Sequence, residues 1–137
     1  MKVIAKFSLC CLLFVALLLS VSCQESLPQR CARESKEYTA KNCPAKISDY
    51  IMLDSIAFDE SDSTMQYFYS VSGLIDSVEM MSAHQEEYRT ALRKDIRNST
   101  NLKAYKDEKF KFQYVYLSKK NRGKVLLSLK YNYEDYK

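Results

Sequence analysis

The strongest constraint on the fold lies in the last thirty residues, where two stretches keep a strict two-residue period. Lys109–Ser118 sets Phe110, Phe112, Tyr114 and Tyr116 on one side and Lys111, Gln113, Val115 and Leu117 on the other. Lys124–Tyr133 sets Val125, Leu127, Leu129, Tyr131 and Tyr133 against Lys124, Leu126, Ser128, Lys130 and Asn132. Alternation of this kind suits a pleated strand whose two faces meet different surroundings. The five residues between, Lys119-Lys120-Asn121-Arg122-Gly123, are polar and end on glycine, so the pair forms a β-hairpin. An earlier hairpin has the same logic. Ile51–Asp59 and Thr64–Ser72 flank the polar turn Asp59-Glu60-Ser61-Asp62-Ser63, and Met65, Tyr67, Tyr69 and Val71 share one face. The first of these strands loses its alternation near Asp54-Ser55, which fits either a bulge or a late strand start.

Helical periodicity fills the gaps. Arg30–Lys41 is rich in Arg, Ala, Glu and Lys and stops before Asn42-Cys43-Pro44, where proline biases the preceding residue out of the helical region. Between the hairpins, Met81, Tyr88, Leu92 and Ile96 form one apolar stripe on a helix that begins at Asp76 or Ser82 and ends at Arg97. Its acids come early and its bases late, as the helix dipole favours. Asn98-Ser99-Thr100 ends that helix, and 101–105 adds a further turn. The predicted fold is α+β: a four-stranded antiparallel sheet made of two hairpins flanking a helix (ββ-α-ββ), with an additional N-terminal helix. A single domain over residues 30–137 is expected, and the scarcity of glycine and proline, two of each, argues against a disordered chain.

The N-terminus reads differently. Lys2 and Lys6 precede a run from Phe7 to Val21 that is apolar almost throughout. At about fifteen residues it falls short of the ~20 that span a bilayer, which fits a secretory signal. Its end, Ser20-Val21-Ser22-Cys23, resembles the lipobox of bacterial lipoproteins. The expectation is a signal peptide over 1–22, acylation of Cys23, and a polar tether over 23–29. The membrane is then a partner through N-terminal acyl chains, on the outer membrane or a periplasm-facing membrane. Two other outcomes stay open: ordinary cleavage to a soluble secreted protein, and an uncleaved anchor.

Cys31 and Cys43 are the thiols left beyond Cys23, an even pair in an oxidising compartment. A disulfide between them is one reading. It conflicts with the helix over 30–41, since twelve helical residues separate two Cα atoms by about 18 Å against a limit of ~7 Å. Charge is unevenly spread. Residues 47–88 hold nine acids and no lysine or arginine, whereas 89–130 hold thirteen bases against Asp95, Asp107 and Glu108. The two halves are expected to complement one another in the fold, and no nucleic-acid partner is expected of an exported chain.

Cys43-Pro44, Leu53-Asp54-Ser55, the Tyr67-Phe68-Tyr69 strand, the amphipathic helix and Phe112-Gln113-Tyr114-Val115-Tyr116 together resemble small uncharacterised exported lipoproteins of Gram-negative bacteria, chiefly of the Bacteroidetes type. The likeness spans about residues 43–131. It implies a fold and a location and carries no site residues with it.

Chemistry-bearing residues are few. His84 is the only histidine and would have to serve any imidazole-dependent site, with Cys43 as a conceivable thiolate partner. The acidic turn offers oxygen ligands but lacks the glycine and distal glutamate of a calcium loop. No metal and no cofactor are expected. The distinctive feature is tyrosine, eleven in all. Tyr67, Tyr69, Tyr114, Tyr116, Tyr131 and Tyr133 recur at strand spacing and, flanked by Lys111, Lys124 and Lys130, have the composition of a surface that binds protein or glycan. The alternative is that these rings form the core layer beneath the helix. The function expected is a membrane-tethered, non-enzymatic binding or accessory domain for an unknown envelope protein or glycan. A freely secreted inhibitor or immunity-like protein and a small cysteine-dependent enzyme are the rivals.

Overall fold

The computed structural model describes residues 24–137. The expected signal peptide and the acylated Cys23 lie outside the described residues. The described residues begin with helix α1, Leu27–Asn42. Ser26 starts it with a capping box: its hydroxyl accepts from the Gln29 N–H and the Gln29 side chain accepts from the Ser26 N–H. This cap and Pro28 in the first turn move the start three residues ahead of the expected Arg30. The helix turns Cys31 and Ser35 toward the sheet, and Thr39 both donates to the Ile56 carbonyl at 3.0 Å and accepts from the Ile56 N–H at 2.8 Å. Ile56 follows the register break between Leu53 and Ser55, the bulge of the two readings left open, since β2 already starts at Ile51. There the hydroxyl supplies backbone groups that the bend leaves over. A cis Cys43–Pro44 bond leads out of the helix.

The sheet has five strands in chain order: β1 (Ala45–Lys46), β2 (Ile51–Asp59), β3 (Thr64–Val71), β4 (Lys111–Ser118) and β5 (Val125–Tyr131). Both hairpins are present, and the α+β class holds. The sheet is nevertheless mixed rather than four antiparallel strands, because β3 and β4 pair in parallel, from Thr64 with Lys111 to Val71 with Ser118. The cause is the connection. After β3 the chain runs through a 3-10 turn (Gly73–Ile75), α2 (Val78–Ala83), α3 (Gln85–Asn98) and α4 (Lys103–Asp107), and re-enters the sheet where β3 began. Lys111 there donates its N–H to the Ser63 carbonyl. A helical crossover of this kind joins parallel neighbours. The expected single helix is divided at His84, whose backbone (φ −105°, ψ 11°) ends α2 and opens α3. The last strand stops at Tyr131, and Asn132 and Asp135 cap a final helix α5, Tyr133–Tyr136, so Tyr133 is helical rather than on the sheet.

Register fixes the two faces. Across the sheet Met65, Phe112 and Tyr131 align, as do Tyr67, Tyr114 and Leu129, and Tyr69, Tyr116 and Leu127. Phe112, Leu129 and Tyr131 are fully buried, in one cluster with Cys31 of α1, Met81 of α2, Ile96 of α3 and Tyr136 of α5. Burying each such side chain stabilises the fold by about 1.5–3 kcal/mol. The helices therefore cover the tyrosine-bearing face. On the other face Gln66 donates to Gln113, and Gln113 to Ser128, in a ladder beside half-buried Phe68.

A tyrosine-floored slot as the candidate binding site

α1 lies along β2, and α2 packs on β5 with α3 beside it. Between these helices lies the central parallel pair, and its inward residues are the tyrosines. Tyr67 stacks on Tyr114 at 4.9 Å between ring centroids, Tyr69 on Tyr116 at 5.0 Å, and Tyr69 on Tyr114 at 6.5 Å. In-register parallel pairing puts like residues side by side, so two Tyr-x-Tyr strands yield a continuous stack of rings. Tyr131 closes it edge-on against Tyr114. Tyr114, Tyr116 and Tyr131 are buried, whereas Tyr67 and Tyr69 keep part of their surface open.

The walls come from the helices. Tyr38 of α1 stands 45% exposed, Tyr105 of α4 is half-buried, and Tyr88 of α3 leans on Tyr116 at 5.7 Å. One end of the slot opens into a cleft of about 210 Å³ lined by Cys31, Glu34, Ser35, Tyr38, Ile56, Met65, Tyr67 and Tyr105. A second cleft, about 370 Å³, is lined by Ile75, His84, Glu87, Tyr88 and Ala91. The surroundings of the rings are apolar, and desolvation pushes the phenols of Tyr67, Tyr114 and Tyr116 well above the ordinary tyrosine range and that of Tyr69 up to about 12. They are neutral hydrogen-bonding groups at any physiological pH. The slot can hold an apolar or aromatic ligand group and offer it hydroxyls.

The predicted surface is thus divided. Tyr67, Tyr69, Tyr114, Tyr116 and Tyr131 share the helix-covered face; Tyr133 sits on α5 with Lys109 over its ring at 5.2 Å. The lysines do not flank the tyrosines. Lys111 and Lys130 point from the opposite face, since each neighbours an inward residue in its strand, and Lys124 belongs to the turn before β5. Lys111 and Lys130 instead grip Asp62, the latter at 2.6 Å, and Thr64 donates to the same carboxylate at 2.9 Å. These contacts, the Lys111 hydrogen bond foremost, hold the Asp62 carboxyl well below the usual range. Asp59 accepts from the Ser61 N–H and hydroxyl, so both aspartates of the acidic turn are engaged within the fold. Tyr38 and Tyr105 were missed from sequence. Tyr38 was legible, since Cys31, Ser35 and Tyr38 follow helical i, i+4, i+7 spacing.

The proposed disulfide is corrected. Cys31 and Cys43 are free thiols: α1 runs unbroken between them and holds them apart. Cys31 is fully buried, and burial raises both thiols above their ordinary value. His84 is exposed and lies 3.3 Å from Glu87. Among the described residues no group of three or more His, Cys, Asp or Glu side chains is placed to hold a metal ion. None of their helices is long and apolar enough to cross a membrane.

Residues 26–127, which span the slot and the whole sheet up to the middle of β5, match a family described as a domain of unknown function. The chain belongs to the DUF8479 family. No curated protein matches this DUF8479 domain. Its structure is similar to the crystal structure of a "putative secreted protein" of Pseudomonas aeruginosa, with a TM-score of 0.68. That match has 13% identity and covers 83% of this chain and 100% of the other. At that identity the likeness is one of fold.

Proposed function

We propose that this DUF8479 domain is a non-enzymatic, exported binding protein, held to an envelope membrane through an acylated Cys23, and that it takes its partner into the tyrosine slot. The slot carries this reading: a cleft lined by Tyr38, Tyr67 and Tyr105 beside the stacked Tyr69 and Tyr116, with Tyr88 of α3 against Tyr116. Amphipathic, low-entropy tyrosines are the side chains that binding surfaces favour. Export is supported by the apolar run before Cys23, by the lipobox-like Ser20-Val21-Ser22-Cys23, and by the name of the Pseudomonas aeruginosa protein that shares the fold. A cysteine-dependent enzyme would need a thiol with a lowered pKa in an electropositive setting. Both thiols here are shifted the other way.

Intact mass of the protein recovered from a membrane fraction tests the anchor. Residues 23–137 plus acyl chains is the expected mass. An unmodified chain starting at Gln24 in the soluble fraction would replace this reading with a freely secreted inhibitor-like protein. For the slot, Tyr38→Ala and Tyr69→Ala are expected to abolish retention of an envelope partner that the outward-face variant Gln113→Ala retains. Equal retention by all three would refute the slot.

A further inference from the structure

Seven large apolar side chains stand exposed among the described residues, and five of them crowd the end of the sheet where β3 and β4 finish: Ile47, Tyr50, Leu74, Met80 and Val125. Local contacts tie this set together. The Tyr50 ring lies over Gly73, Ser72 donates its N–H to the Tyr50 carbonyl, and Leu74, 85% exposed, follows directly. Lys119 donates its N–H to the Val71 carbonyl, Lys120 donates its own to Asp76, and Val125 pairs with Leu117. Met80 is on α2, which packs on β5, the strand that Val125 begins. Interleaved with these apolar tips is the exposed turn holding Lys119, Lys120, Arg122 and Lys124. Of the acids at this end, Asp49 is paired with Lys46 at 2.8 Å and Asp76 accepts from the Lys120 N–H, while Glu79 on α2 is exposed, so the four basic side chains of the turn outnumber it.

We infer that this end of the sheet is a docking surface for an anionic lipid bilayer. Ile47, Tyr50, Leu74 and Val125 sit on turns and element ends and Met80 on the short helix α2, all exposed rather than set in a hollow, with the basic turn among them. Protruding apolar tips enter the headgroup boundary while long lysine and arginine side chains stay at the phosphates. A protein partner's anchor residue, by contrast, seeks a pocket. The placement also gives a direction. α1 starts at the other end of the domain, with Cys31 beside Tyr105 and Ser35 at Met65, and its sixteen residues run about 24 Å before β1. Three residues from Cys23 to Ser26 reach about 10 Å. A domain anchored at Cys23 therefore turns this surface away from its own membrane, toward a second one. The lipid-facing surface itself does not rest on the anchor.

The chain has no tryptophan, so Leu74→Trp gives a single indole, excited selectively over the tyrosines, at an exposed position. The processed protein is added to phosphatidylcholine vesicles, or inserted into them where it carries acyl chains. Vesicles with phosphatidylglycerol are then supplied. The expected result is a blue shift of the emission with the anionic vesicles alone, reversed by high salt. Tyr133→Trp, at the opposite end, stays unshifted. Replacing Lys119, Lys120, Arg122 and Lys124 by Gln in the Leu74→Trp protein weakens partitioning about fivefold per charge. No shift at position 74, an equal shift at 133, or quenching of position 74 only by a soluble protein partner would overturn the inference. Intact mass reports separately on the anchor.

Discussion

Replacing Phe112 and Phe68 by alanine, one at a time, tests which face of the sheet holds the fold together. The two residues share chemistry and lie on adjacent strands of the parallel pair. Phe112 is fully buried, meets the Tyr136 ring edge-on at 5.4 Å and stands between Met65 and Tyr131 in register. Phe68 points the other way, beside Ser55 and Val115, and is half-buried with no helix above it. Removing a buried phenylalanine leaves a cavity ringed by side chains that cannot close in, at a cost of about 3–5 kcal/mol. The Phe68 change empties no enclosed space and costs about 1 kcal/mol. For a domain of this size each kcal/mol moves the melting temperature by about 3–6 °C, so Phe112→Ala melts at least about 10 °C lower and Phe68→Ala only a few degrees lower. Thermal and urea denaturation followed by circular dichroism, with the urea slope unchanged, measure both. Equal losses, or a larger loss at Phe68, would refute the assignment of the tyrosine face to the core.

Asp62 gives a pH prediction. Its folded carboxyl is held low by Lys111, Lys130 and Thr64, so its stabilisation is present above the unfolded value of about 4 and fades as pH falls below it. Asp62→Asn is expected to be less stable than the parent near neutrality and to converge with it in acid, in urea titrations run at both pH values; a constant difference would contradict the ion cluster. Free thiols predict that alkylation in denaturant without reductant labels both Cys31 and Cys43, read by peptide mass, whereas a disulfide would leave both unlabelled. Gly73→Ala places a Cβ 2.6 Å from the Tyr50 ring at φ +69°, and is expected to cost about 2 kcal/mol or more. Gly123→Ala meets nothing within 4 Å at φ +84°, so only the backbone conformation opposes it, at about 1 kcal/mol. Comparable losses in the two variants would remove the Tyr50 contact from the explanation.

Both hairpins were legible because alternation and turn chemistry are local, and the period failed at Asp54-Ser55 without telling a bulge from a late strand start. The order of strands in space was not. Alternation is equally satisfied whether β3 and β4 run together or opposed, and the decision is made by where the crossover re-enters the sheet, beside Ser63. The break at His84 left no trace in the stripe of Met81, Tyr88, Leu92 and Ile96, since one residue of altered backbone preserves its direction. Period two did separate Lys111 and Lys130 from the tyrosines; placing them on one surface required ignoring that parity. The slot was half visible. Its floor follows from the Tyr-x-Tyr pairs, but its walls depend on how far apart α1 and α3 are held, a property of the whole sheet.

The parallel seam between β3 and β4 also orders events in time. Each hairpin closes over a handful of residues, whereas the seam joins groups as distant as Gln66 and Gln113, 47 residues apart. Long loops close late, after local pairs have formed. A chain emerging N-terminus first thus presents the completed β2–β3 hairpin with one flank of β3 bare until β4 arrives. An unpaired flank in the middle of a sheet has none of the guards that natural edges carry. The period before β4, Lys111–Ser118, has formed is the interval in which this protein is open to strand-wise self-association.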